Sequence, residues 1–304
     1  MHPVKPHLKG VIMNTAKYLL PLFDRYLPKP PKDIDVESIS FLELMSNNSG
    51  SRYNILSGSS KFRKGQNYLV KGVYLDPHFA RSVCAFSGSC KQSCLINTGH
   101  MPRHQSKRYK LTLAMSLYPE EFFRLFIMEI AMLSIEASFK GVELAIRFNG
   151  TSDIRIEKVL DLEMMKQDFP NVIFYDYTKY PLSNRYYFDY GFDDTKSVQS
   201  YYHLTYSIDE QDKSIERAKE YLSCGYPVAI VLSFKDYRKA LSLPFVIDGE
   251  QNDHRFLQGA SIVVLRAKTL TYRQGSYAED GIIRPLDEVK DLSLYLSNKL
   301  IEQA

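Results

Sequence analysis

The feature that most constrains the fold is a repeat. Short apolar runs at 68–75, 142–148, 172–177, 204–206, 228–232, 245–247 and 262–266 each close on polar residues, and most are separated by stretches that read as helix. Uninterrupted apolar runs suit strands buried on both faces, as in a parallel sheet. Pro119 suits the first turn of a helix, so 105–140 reads as two successive helices. Phe122, Leu125, Phe126, Ile130 and Leu133 give the second an apolar stripe at helical spacing. Stretches 156–168, 212–223 and 283–300 read as further helices, and Gly225 supplies a stop after the second of these. Repeated β–α crossovers of one hand make a barrel or an open doubly wound sheet. The expected fold is therefore α/β, a TIM-barrel-like or partial (β/α) barrel of about seven parallel strands.

Residues 1–60 are expected to form an N-terminal arm and 61–304 the barrel-like domain. Pro28, Pro30 and Pro31 force extended chain there. A short helix is expected at 17–26, a second short element at 41–44, and a Ser-, Asn- and Gly-rich loop at 46–60.

Sites in such sheets lie at the C-terminal ends of the strands. Those ends carry Asn149, Asp153, Asp176, Lys179, Ser207, Asp248 and Lys268. Asn149, Thr151, Ser152 and Asp153 are candidate cofactor-binding residues, and a helix cap by Ser152 or Asp153 is the plainer role. Asp176, between two tyrosines and on the opposite strand face from them, is a candidate catalytic residue with Lys179 and Asp248. The competing role for Asp176 is a buried Asp–Lys or Asp–Arg pair that holds the barrel together. Asp253 and Arg255 belong to the densest charged group in the chain and are further binding candidates.

Three of the four cysteines, Cys84, Cys90 and Cys94, fall in one loop after the first strand, spaced C-x5-C-x3-C. Clustered thiolates hold soft metals or iron–sulfur clusters. A [4Fe–4S] cluster is the leading expectation, with zinc the alternative, although no C-x2-C pair is present. Three small buried thiols are the third reading. Three protein thiolates leave one iron for substrate, for a cofactor such as S-adenosylmethionine, or for His100 or His104. Cys224 reads as a buried structural thiol.

No apolar run approaches the ~20 residues of a membrane span, and the N-terminal stretch is too polar for a signal peptide. The expected location is cytoplasmic, where thiols stay reduced. Motifs of P-loop hydrolases, Rossmann dehydrogenases, serine hydrolases and zincins are absent. A net charge of +4 with 22 Tyr, 17 Phe and no Trp permits nucleic-acid binding without requiring it. The mouth is expected to take a nucleotide-like or nucleic-acid substrate. The alternative is a replication- or repair-associated nucleic-acid-binding protein with a structural cluster or zinc. Its surface would hold Arg103, Lys107, Arg108, Lys110 and the tyrosines at 186, 187, 190, 201 and 202.

In their order along the chain, CAFSGSCKQSCLINTG, RFNGTSDIRIE, FYDYTK, YHLTYS, GYPVAIVL and VIDGEQNDHRF resemble a largely phage-encoded family labelled gene product 88-like, over roughly residues 50–285. The family's cysteine loop is matched by Cys84, Cys90, Cys94 and Gly99. Its two strand-end segments are matched by 149–153 and 175–179. Its late Asp-Gly-Asp motif has Glu250 at the third place, with Asp253 and Arg255 retained, and Ala85 stands where proline commonly follows the first cysteine. The place of Cys224 is not usually cysteine, which implies three ligands. The family carries no settled activity. A three-cysteine loop after the first strand is similar in layout to radical S-adenosylmethionine enzymes, without their C-x3-C-x2-C spacing or a Gly-Gly-Glu-like segment. A radical-type enzyme in the host cytoplasm is what that layout implies.

Overall fold

The computed structural model describes residues 14–21, 23–30, 39–47, 49–58, 67–79, 83–91, 94–97, 101–185, 202–267 and 281–303. Gly99, His100, Lys268 and the tyrosines at 186, 187, 190 and 201 lie outside these residues.

The strands are β1 (Tyr68–Gly72), β2 (Glu143–Arg147), β3 (Val172–Thr178), β4 (Tyr202–Ser207), β5 (Val228–Leu232), β6 (Val246–Asp248), β7 (Ile262–Arg266) and β8 (Ile283–Arg284). Every pairing among them is parallel. They run in the order β1-β2-β3-β4-β5-β7-β6, curled into a half-barrel, and β8 pairs with β5 off this path. The expected strands are all present within a residue or a few of their ends. β8 was not anticipated, because two residues carry no periodicity. It meets Val231 and Leu232, just beyond the point where β4 leaves β5 at the Ser207–Ala229 pair. The sheet therefore opens between β4 and β5 at its C-terminal edge.

The helices are α1 (Phe41–Leu44), α2 (Gln105–Leu117), α3 (Pro119–Lys140), α4 (Leu162–Asp168), α5 (Ser214–Ser223), α6 (Phe234–Ala240) and α7 (Leu286–Gln303). α3 starts on Pro119 with Glu120 and Glu121 in its first turn, and stops on Gly141 in the left-handed conformation. The helix expected over 156–168 is divided. Ile156–Lys158 forms one 3-10 turn, and Asp161 caps α4 by accepting from the Met164 N–H. α6 was missed, although Ser233 accepting from the Asp236 N–H is the Ser-x-x-Asp start signal. In place of the helix expected at 17–26 stand two 3-10 turns, Thr15–Tyr18 and Phe23–Tyr26.

Two cores result. The outer one joins sheet and helices through Phe122, Phe126, Ile146, Phe174, Tyr202, Tyr206, Tyr221, Val264 and their neighbours, and it includes Tyr18, Leu27, Met45, Ile55 and Leu56 of the N-terminal stretch. The inner one fills the half-barrel with Val70, Ala145, Tyr175 and Phe256. Phe256 comes from the Arg255–Leu257 turn after β6, so that turn plugs the concave side.

The N-terminal stretch is tied down by polar contacts as well. The Glu129 carboxylate of α3 accepts from the backbone N–H groups of Ile55 at 3.0 Å and Leu56 at 2.8 Å. Removing it leaves two donors half-buried without partners. Glu129→Ala is expected to cost about 2 kcal/mol in urea unfolding, and Glu129→Gln, which keeps one acceptor, less than half of that.

Candidate functional site

A cavity of about 310 Å³ opens at the C-terminal edge of the sheet. Cys84, Cys90 and Cys94 line it together with Arg147, residues 149–153, Tyr177, Thr178 and Lys179. Its other wall is largely apolar: Ile208, Val231, Leu265, Ala267 and Ile282, with Ser207 and Arg266 beside them. Thus the three thiols and the candidate residues Asn149, Thr151, Ser152, Asp153, Lys179 and Asp253 share one chamber.

The cysteine loop is held against the end of β2. Cys84 and Asp153 form a parallel bridge, with the Asp153 N–H donating to the Val83 carbonyl at 2.9 Å. Burial pushes the Cys84 and Cys90 thiols up from their ordinary range. The Asp153 carboxylate adds to the effect at Cys84, and the Lys179 ammonium opposes it at both. Among the described residues, no three His, Cys, Asp or Glu side chains converge as a site for one metal ion. Cys224, expected to be buried, is exposed at the C-terminus of α5, and His104 is exposed at the start of α2.

The segment after β2 is built by its own side chains. Asn149 Oδ1 accepts from the Ile154 N–H and the Ser152 hydroxyl, both at 2.8 Å, while its Nδ2 donates to the Ile154 carbonyl. Thr151 donates to the Leu75 carbonyl at 2.6 Å. Gly150 donates its N–H to the Val73 carbonyl, and a Cβ there would stand 2.5 Å from that oxygen, so only glycine fits without a shift. Asn149, Thr151 and Ser152 therefore shape the loop, and the expected cap on a following helix is absent: neither Ser152 nor Asp153 caps Ile156–Lys158 or α4. Asp153 is different. Its Oδ2 accepts from the Lys179 N–H at 2.8 Å, and its Oδ1 is buried with no hydrogen-bond partner. The Thr178 hydroxyl lies near enough to favour the ionised carboxyl without satisfying that oxygen, and burial dominates to raise its pKa.

Asp176 is on the sheet face opposite Tyr175 and Tyr177, as its strand position predicts. That face packs on the helices, and Asp176 does not line the cavity. It accepts from the Asn149 N–H at 2.6 Å and from the Tyr202 hydroxyl at 2.9 Å. Tyr202 also receives an N–H from Arg185, which is paired with Glu157 in full burial. The expected place of Asp176 at the mouth is thus corrected to a position behind it, where the hydrogen bond it accepts from the Asn149 N–H orients the β2 loop. Asp248 likewise lies away from the cavity lining. It accepts from the Tyr237 hydroxyl and the Glu250 N–H.

Asp253 reaches the cavity floor and engages Arg147 at 2.9 Å and the hydroxyls of Tyr175 and Tyr177. Arg255 donates to the Tyr177 hydroxyl at 2.6 Å and to the Gly249 and Asn252 carbonyls. Sequence reasoning missed Arg147, Tyr177 and Arg266 as lining residues. All three lie at or next to strand ends, where alternate residues face the concave side, and register was the signal.

The basic face expected for nucleic acid is largely used internally. Arg108 is buried and donates to the Met101 carbonyl, Lys107 donates to Ser57, Lys110 donates to the Ser46 carbonyl, and Tyr202 is in the core; Arg103 is exposed.

Residues 48–280 match the gene product 88 family. The chain belongs to that phage-type family. No curated protein and no solved structure matches the chain. Among the described residues, no helix of this family member is long and apolar enough to cross a membrane.

Burial raises the Asp176 carboxyl to about 7, against the opposing pull of the Asn149 N–H. An unfolded aspartate titrates near 3.9. The folded state therefore binds this proton more tightly, and the stabilisation is complete below about pH 4 and lost as pH rises through about 7. Asp176→Asn keeps an acceptor for the Asn149 N–H and has no charge to bury. Its stability relative to wild type, measured by urea unfolding, is expected to climb from pH 4 to pH 7. A flat or falling difference would show that the carboxylate is held ionised.

Proposed function

We propose that this gene product 88 family member holds a [4Fe–4S] cluster on Cys84, Cys90 and Cys94 and acts on a nucleotide-like or nucleic-acid substrate in the adjoining cavity. One observation carries the reading: the three thiols of one loop, Cys84 on its bridge to Asp153, Cys90 in the turn Gly88–Lys91 and Cys94 just before the turn Leu95–Asn97, line the same chamber as the β2 and β3 ends. A cubane cluster binds each thiolate through a different iron, so its ligands need not crowd around one point as four zinc ligands must. Thiols lose their protons on metal coordination.

Such a cluster, with one iron free of protein thiolate, supplies an electron and an open coordination position, the chemistry by which bound S-adenosylmethionine is cleaved. The chain's own residues do the rest. Asp153 and Lys179 face the thiols, the Arg147–Asp253 pair closes the floor, and the apolar wall excludes water from the reacting end. A reducing location such as the host cytoplasm suits the thiols. The alternative, a nucleic-acid-binding protein with a structural cluster or zinc, has less support, because Lys107, Arg108 and Lys110 bind the protein's own groups.

Anaerobically purified wild type is expected to carry about four irons and four sulfides per chain, and Cys90→Ser to lose them. One zinc without sulfide would move the site to the structural alternative, and no metal in either form would overturn both.

A further inference from the structure

The cavity separates its chemistry into two walls, and each asks for a different part of one ligand. On the β2–β3 side stands Lys179, only 8% exposed. The ion pairs of this region among the described residues are Arg147–Asp253 and Arg185–Glu157, and Lys179 belongs to neither. Asp153 acts on this ammonium through space without pairing with it, so the ammonium is left open to an anionic group in the chamber. Beside it, Asp153 Oδ1 is a buried acceptor without a donor, and its carboxylate is fixed to the Lys179 backbone at 2.8 Å. On the far side, Val231, Leu265 and Ile282 line the cavity with apolar side chains.

We propose that the cavity takes a single nucleotide rather than a strand: its phosphate on Lys179, a sugar hydroxyl donating to Asp153, and its base against Val231, Leu265 and Ile282. An acyl chain with a carboxylate would satisfy Lys179 and leave Asp153 without a donor. A volume of about 310 Å³ is at the small-ligand end of binding pockets. This deepens the proposed function by naming its substrate class, and it stands on the cavity whether or not a cluster is present.

The test is calorimetric titration of the anaerobically purified chain with the four nucleoside 5′-monophosphates, the matching nucleosides, inorganic phosphate and a single-stranded 12-mer. Iron and sulfide are measured on the same samples. At least one monophosphate is expected to bind more tightly than its nucleoside, than phosphate and than the 12-mer. Lys179→Met should weaken that monophosphate about tenfold or more and leave its nucleoside within about twofold, as loss of one charge-assisted contact predicts. Asp153→Asn, which turns an acceptor into a donor, should weaken both. Lys179→Arg should restore monophosphate binding, and thermal unfolding of each variant checks that it is folded. Tighter binding of the 12-mer, equal loss of nucleoside and monophosphate in Lys179→Met, or no nucleotide binding at all would overturn the inference. Nucleotide binding without iron would overturn the cluster alone, and iron without nucleotide binding would overturn this inference alone.

Discussion

The geometry of the site depends on one hydrogen bond made through the sheet: the Asn149 N–H donates to Asp176, whose side chain lies on the outer face of β3. The bond fixes where the chain leaves β2. From there Asn149 folds the next five residues onto its own side chain, and Asp153 arrives beside Cys84. A carboxylate on the helix side of the sheet thus sets the position of a carboxylate on the cavity side. Burying Asp176 is costly, and Tyr202, Arg185 and Glu157 form the polar network that offsets part of the cost.

A second constraint acts from the concave side. A half-barrel leaves its interior open, and a parallel strand cannot tolerate an exposed inner face. The turn after β6 closes it: Phe256 packs on Tyr68 and Tyr175, and Arg255 and Asp253 clasp Tyr177 and Arg147 above. Gly249 lets this turn start, because a Cβ there would meet Leu265, Val263 and the Val264 carbonyl within 2.8 Å. The lower half of the barrel becomes core, and the space left at the top is the cavity.

Much of this was legible in the chain. The apolar runs gave the strands, and alternation along β3 placed Asp176 opposite its tyrosines. The loop position of Cys84, Cys90 and Cys94 after β1 put them on the correct edge. What alternation could not give is which face of β3 meets the helices, because a strand buried on both faces shows no polar side. For the same reason Asp176 read as a mouth residue. Asn149, Thr151 and Ser152 have the donors and acceptors of a ligand loop, and only the folded backbone shows that they bind one another and Leu75 and Ile154. β8 is too short for any pattern, yet it opens the sheet and so shapes the apolar wall.

The central claim is that one chamber, walled by the cysteine loop and the ends of β2 and β3, holds one iron–sulfur centre. Anomalous diffraction at the iron edge from anaerobically grown crystals tests it most directly. The account predicts a single iron peak within bonding reach of the sulfurs of Cys84, Cys90 and Cys94, beside Asp153 and Lys179. A peak at the zinc edge instead, or iron bound outside this chamber, would contradict it.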